Sequence, residues 1–118
     1  MRASVLTMKT ELVEPIKDTE WDRKVIDSKA SIFVEFWAPW CGPCHVMAPM
    51  IASLAKEFGG KVKFVKVNVD ESPVIATKLE IFSVPTFMIF TGGKPRNRFV
   101  GMATKEHISK LLVSSVGA

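Results

Sequence analysis

Cysteine is scarce in this chain: among 118 residues, only Cys41 and Cys44 carry a thiol. Two cysteines cannot build the several-bridge framework that holds small secreted scaffolds together. Long apolar runs are missing as well. None approaches the roughly 18 to 20 residues that a helix needs to cross a bilayer. The N-terminal stretch from Met1 is broken by Lys9 before it reaches the apolar length of a secretory signal. These absences point away from export and from membrane insertion, and toward the cytoplasm. Neither sign of charge dominates, because a net charge of +4 in a chain that is 24% charged is ordinary surface solvation rather than a nucleic-acid footprint. No internal repeat or low-complexity segment interrupts the chain. With 47% hydrophobic residues it is long enough for one domain with its own core and too short for two.

The elements follow from apolar spacing. Residues 1 to 12 show mixed polarity without strong periodicity and read as an N-terminal extension, with the folded domain spanning 13 to 118 and opening on a short edge strand limited by Pro15. Trp21, Val25 and Ile26 fall at helical spacing after Asp18 or Thr19, either of which offers an N-cap oxygen. Ile32 to Trp37 is an almost unbroken apolar run rich in β-formers, the pattern of a strand covered on both faces. Val46, Met47, Met50, Ile51, Leu54 and Phe58 then mark a longer helix that Gly59-Gly60 ends, and Pro49 inside it predicts a kink.

Lys61 to Asp70 alternates as a strand, placing Val65, Val67 and Val69 on one face and Phe64, Lys66 and Asn68 on the other. Ser72 to Leu79 reads as a short helix, and Thr86 to Thr91 as a strand. Gly92-Gly93 turns the chain into a strand from Arg96 to Val100 that ends at Gly101. Thr104 and Glu106 open a last helix that buries Ile108, Leu111, Leu112 and Val116. Arg96 and Arg98, beside Lys94, read as a basic edge that resists strand addition.

Cys41 and Cys44 sit where the apolar strand gives way to the long helix. The first sulfur is expected at an exposed helix N-terminus, where unpaired N–H groups and the helix dipole favour a thiolate, and Cys44 follows one turn later within reach. A Cys-x-x-Cys pair in this setting reads as a reversible dithiol. The alternatives are a structural disulfide or half of a zinc site. A zinc site needs about four ligands, and only His45 and His107 are left to supply nitrogen. Glu35 is the one charge inside the buried strand. Burial raises a carboxyl pKa toward the range of a general base, and the competing reading is a structural ion pair with Lys66.

With this order of elements, Trp37, Trp40, Gly42-Pro43, Pro49, Val84-Pro85-Thr86, Gly92 and Gly101 complete a pattern that closely resembles the thioredoxin family over roughly residues 12 to 118. The resemblance implies an α/β thioredoxin fold, with a central mixed sheet of about five strands flanked by four helices, and thiol-disulfide exchange as the activity. It implies that Cys41 is the nucleophile, since the thiolate at the helix end attacks a target disulfide, and that Cys44 resolves the mixed disulfide. Glu35 then takes the Cys44 proton through water with Lys66 beside it, although most members carry Asp at this position. Pro85 is implied to be the cis-proline facing the cysteines.

Trp37, Trp40, Gly42, Pro43, Val84, Thr86, Gly101 and Met102 are expected to form an apolar rim for extended target segments. For Trp37 the competing reading is core packing, and for Gly101 a simple bend. His45 stands where Lys or Arg is frequent, and reads as a solvated helix residue. No cofactor beyond the Cys41–Cys44 couple is implied. The expected partners are a thioredoxin reductase and disulfide-bearing targets such as peroxiredoxin-like enzymes, with the protein a monomer. A disulfide oxidant or isomerase, and a binding or chaperone module using the same rim, are the competing functions.

Overall fold

A computed structural model describes residues 12–116. Residues 1–11, which carry most of the expected N-terminal extension, and the last two residues lie outside the described part. Five strands form one mixed sheet: β1 (Glu14–Ile16), β2 (Ser31–Trp37), β3 (Val62–Asn68), β4 (Thr86–Thr91) and β5 (Lys94–Val100). The spatial order is β1-β3-β2-β4-β5, with β1, β3 and β2 parallel and β4 and β5 joining antiparallel. Four helical segments cover it. α1 is irregular, a 3-10 turn (Asp18–Glu20) followed by a π-type turn (Asp22–Ile26), and α2 (Gly42–Glu57), α3 (Pro73–Lys78) and α4 (Lys105–Ser115) are α-helices. The expected architecture of about five strands and four helices is what the chain forms.

The period-2 alternation of the central strands sends side chains into two cores. Phe33, Phe64, Phe87 and Ile89 pack under Met47, Ile51 and Leu54 of α2 and Ile108 and Leu112 of α4. Ile32, Val34, Phe36, Val65, Val67 and Phe90 meet Trp21 and Val25 of α1 and Ile75 of α3 on the other side. Phe33, Phe36, Phe87 and Phe90 are all fully buried, and each contributes roughly 1.5 to 3 kcal/mol by leaving water. Covering both faces is why β2 reads as a continuous apolar run. Glu35 shares a face with Phe33 and Trp37, the face that α2 covers.

Several boundaries and contacts differ from the pattern reading. Val46 is 68% exposed and Ile26 39% exposed, so neither belongs to its helix's buried stripe. β3 stops at Asn68, whose side-chain carbonyl accepts the Asp70 N–H at 2.9 Å and turns the chain before the expected end. β5 begins at Lys94, before Arg96. α2 runs through Pro49 without interruption.

Asp18 does not cap its own helix. Its carboxylate accepts the N–H groups of Val74 (3.1 Å) and Ile75 (2.9 Å), satisfying two donors at the start of α3 from 56 and 57 residues away in sequence. Arg98 likewise leaves the basic hairpin edge. Its guanidinium donates to the Leu79 and Glu80 carbonyls at 2.6 and 2.5 Å, holding the C-terminal end of α3 where Glu80 adopts a left-handed φ of 57°. At the hairpin turn, Gly93 has φ +78° and faces the Ile26 carbonyl so closely that a Cβ there would lie 2.4 Å from the oxygen. Both the turn and the packing of α1 demand glycine.

Candidate active site

The parallel strand β2 delivers the site at its C-terminal end, where Ala38, Pro39 and Trp40 lead into α2. Cys41 is the N-cap of α2. Its N–H donates to the Ala38 carbonyl (3.1 Å), and its sulfur accepts the Cys44 N–H at 3.2 Å. Pro43 falls in the first turn, where the absent N–H has no helical partner to lose. The two sulfurs are bonded to each other, and the Cα atoms stand 5.3 Å apart, within the ordinary span of a disulfide. The sequence placed Cys41 at an exposed helix end; its position at the helix end holds, but the oxidised residue is only 4% exposed, and Cys44 2%. Trp37, Ala38, Val69 and Val84 pack around the pair, while Gly42 and Pro43 between the sulfurs are open to solvent.

The Val84–Pro85 peptide is cis, as the family resemblance implied. Pro85 is buried, and its carbonyl accepts the Gly101 N–H at 2.8 Å, tying the start of β4 to the end of β5. Gly101 has φ +90° with no atom within 4 Å of where a Cβ would stand. The bend therefore accounts for this glycine in the free protein, and the open space above it remains available to a partner. Trp40 is 70% exposed and Met102 60% exposed, as a rim requires. Trp40 is held by its indole N–H, which donates to Asp70 at 3.1 Å.

Thr86 is not a rim residue. It is 1% exposed, and its hydroxyl donates to the Ser83 carbonyl at 2.7 Å beneath the surface. Trp37 is partly buried, and its indole nitrogen is buried without a hydrogen-bond partner. It belongs to the packing beneath the pair more than to the rim. Phe82, at 88% exposure the most exposed large apolar side chain among those described, stands two residues before Val84 and was absent from the sequence reading. Its one signal was an isolated aromatic in a short segment without periodicity.

Glu35 is 5% exposed, and burial pushes its carboxyl up to about 7, against smaller opposing pulls from the charges of Lys66 and His45. The direct ion pair with Lys66 is not formed: the two residues are register partners, but no carboxylate oxygen of Glu35 lies within 4.0 Å of the Lys66 ammonium. The Lys66 ammonium sits instead 5.1 Å from the centre of the Trp37 ring, a cation–π contact that leaves it near the carboxylate without neutralising it. A pocket of about 300 Å³, lined by Leu12, Val13, Ala48, Ile51, Ala52 and Lys66, reaches Glu35. It has room for water to carry a proton. His45 does more than meet solvent. Its Nε2 is 2.8 Å from the Pro39 carbonyl, and its ring meets the edge of Trp37 at 6.1 Å, so it braces the loop that carries Trp40.

Among the described residues, no group of three or more His, Cys, Asp and Glu side chains is arranged to hold a metal ion, and no helix is long and apolar enough to cross a membrane.

A Thioredoxin family profile matches residues 12–114. The chain is 46% identical to "Thioredoxin M4, chloroplastic" of Arabidopsis thaliana over 85% of its own length and 52% of that protein's. It is 46% identical to "Thioredoxin M-type, chloroplastic" of Pisum sativum over 83% of its length and 57% of the relative's. Against "Thioredoxin 1" of Nostoc sp. the identity is 43%, covering 82% of this chain and 91% of the relative. The chain thus spans about half the length of the plant relatives it matches and nearly all of the cyanobacterial one.

Proposed function

The chain belongs to the thioredoxin family, and from that membership we propose that it is a general protein-disulfide reductase working through Cys41 and Cys44. The observation that carries this reading is the bonded pair itself, with Cys41 at the N-cap of α2 beside the solvent-open Gly42-Pro43 and the buried carboxyl of Glu35 on the same side of the sheet.

In the reduced protein the α2 N-terminus favours the Cys41 thiolate. That thiolate attacks one sulfur of a target disulfide. A bond forms between Cys41 and the target, and the other target sulfur leaves and takes a proton. Glu35, ionised above about pH 7 and deprotonated in part below it, accepts the Cys44 proton through water. The Cys44 thiolate then attacks the Cys41 sulfur, the second target thiol departs, and two electrons have passed to the target. Lys66 sets the field around Glu35. Pro85 shapes the backbone at Val84, where an extended target strand pairs, and Trp40, Gly42, Pro43, Gly101 and Met102 frame it. Trp37 supports the rim from below, and Thr86 holds the turn before β4.

A reductase of the thioredoxin-reductase type restores the dithiol, and the targets are disulfide-bearing proteins, including peroxiredoxin-like enzymes. The working form is a monomer built on residues 13 to 118. Its compartment is a reducing one, the cytoplasm in the first instance, and the plant relatives' names make the chloroplast the alternative; fractionation of the source cells decides between them. The reading is tested by equilibrating the Cys41–Cys44 couple with a glutathione buffer and counting free thiols by alkylation. A potential near roughly −270 mV supports the reductase, and one near roughly −120 to −180 mV reverses the direction of electron flow and makes the protein an oxidant or isomerase.

A further inference from the structure

The pole opposite the cysteines carries a second concave feature that thiol chemistry does not use. Where β2 and β3 begin, a pocket of about 360 Å³ opens between the end of α1 and the sheet, lined by Glu14, Arg23, Lys24, Ser28, Lys29 and Lys63 among its residues. Four cations face one carboxylate there, a local excess of three positive charges in a chain whose whole net charge is +4.

The carboxylate is already committed. Glu14 pairs with Lys24 at 2.7 Å, and Arg23 leans 3.7 Å from Glu20. Lys29 and Lys63 form no ion pair within 4.0 Å among the described residues. Ser28 Oγ accepts the Ala30 N–H at 3.2 Å, which leaves its own hydroxyl hydrogen to donate. The pocket therefore offers uncommitted ammonium groups and a hydroxyl donor.

We propose that this pocket, framed by Ser28, Lys29 and Lys63 and backed by Arg23 and Lys24, binds a small diphosphate-type anion. The donor set matches the many acceptor oxygens and multiple charges of such a group. A concave site of this size suits a compact ligand better than a polymer, and no exposed aromatic lines it, so the base-stacking platform of a single-stranded nucleic acid is missing. The seven-residue length of β2 places it about 20 Å from the disulfide. Binding and thiol exchange are separable on that geometry.

The test uses the full chain in its oxidised form, titrated with pyrophosphate by calorimetry and by amide NMR. The expected result is one saturable site, with shifts confined to residues around Ser28–Ala30 and Lys63. Affinity falls with added salt, because the cations are largely exposed. It falls at least about tenfold in the Lys29→Gln, Lys63→Gln double variant, whose changed side chains are at the surface. Sodium sulfate at matched ionic strength gives no comparable shifts. Absence of saturation at millimolar pyrophosphate overturns the proposal, as does unchanged affinity in the double variant. So do equal shifts with sulfate, shifts centred on the hairpin cations Lys94 and Arg96, or tighter binding of a single-stranded oligonucleotide than of pyrophosphate.

Discussion

Replacing Glu35 by glutamine should make the protein more stable, by an amount that is absent near pH 4, grows as pH rises from about 4.5 to 7 and is complete above that. The carboxyl is taken from its ordinary value of 4.5 to about 7 by burial. At roughly 1.4 kcal/mol for each tenfold change in an ionisation constant, the difference is worth about 3 kcal/mol. Because the folded-state value is raised, the folded protein keeps a proton between pH 4.5 and 7 that the unfolded chain releases. The stabilising contribution is whole below about pH 4.5 and is lost as pH rises through about 7. Glutamine has the shape of the protonated acid and cannot ionise. Urea unfolding of the oxidised wild type and of Glu35→Gln should give matching stabilities at pH 4, and about 3 kcal/mol in favour of the variant at pH 8. At that pH the melting temperature should rise by roughly 10 °C for a chain of this size. All other titrating groups are common to both proteins and cancel in the difference. An offset of the same size at both pH values would refute the reasoning, because it would mean that the carboxyl's packing, not its charge, sets the effect.

The same substitution should slow the attack of Cys44 on a mixed disulfide by about 10²-fold at neutral pH while leaving the attack of Cys41 nearly unchanged, as separated by rapid-mixing fluorescence; equal slowing of both steps would remove Glu35 as the base. Gly93→Ala should cost about 3 kcal/mol in chemical denaturation, since it adds a clash 2.4 Å from the Ile26 carbonyl to an unfavourable φ, whereas Gly92→Ala, with φ +61° and open space, should cost about 1 kcal/mol. Asp18→Ala should lose about 1 to 2 kcal/mol by stripping two backbone donors of α3, with partial rescue in Asp18→Asn; fraying confined to α1 in hydrogen exchange would contradict that placement.

The features legible in the sequence were those that periodicity and local chemistry dictate. A near-continuous apolar strand with one acid in it located Glu35, and the same pattern required two covered faces. The hairpin followed from Gly92-Gly93, and the last helix from Thr104, whose hydroxyl indeed accepts the His107 N–H at 3.1 Å. What escaped depends on contacts between segments distant in sequence. Asp18 looks like a local cap until α3 is folded beside it, and Arg98 looks like an edge charge until Leu79 and Glu80 turn their carbonyls toward it.

Within the site, sequence order placed Thr86 beside the rim, but its hydroxyl turns inward to Ser83, and Val46 carries a helical spacing that points to solvent. Glu35 and Lys66, the pair of the competing ion-pair reading, stand opposite each other on β2 and β3, but the ion pair itself is not formed. The position of the ammonium over the Trp37 ring belongs to packing and has no signature in spacing.

The central claim is a division of labour between the two sulfurs, and trapping tests it directly. Full-length Cys44→Ser and Cys41→Ser variants are mixed with a disulfide-bonded peptide, and the adducts are read by intact mass and peptide mapping. A stable mixed disulfide is expected through Cys41 in the Cys44→Ser protein, released by excess thiol, and almost none in Cys41→Ser, whose remaining sulfur lies a turn inside α2, away from the helix end that favours a thiolate. Adducts forming as readily through Cys44 would contradict it.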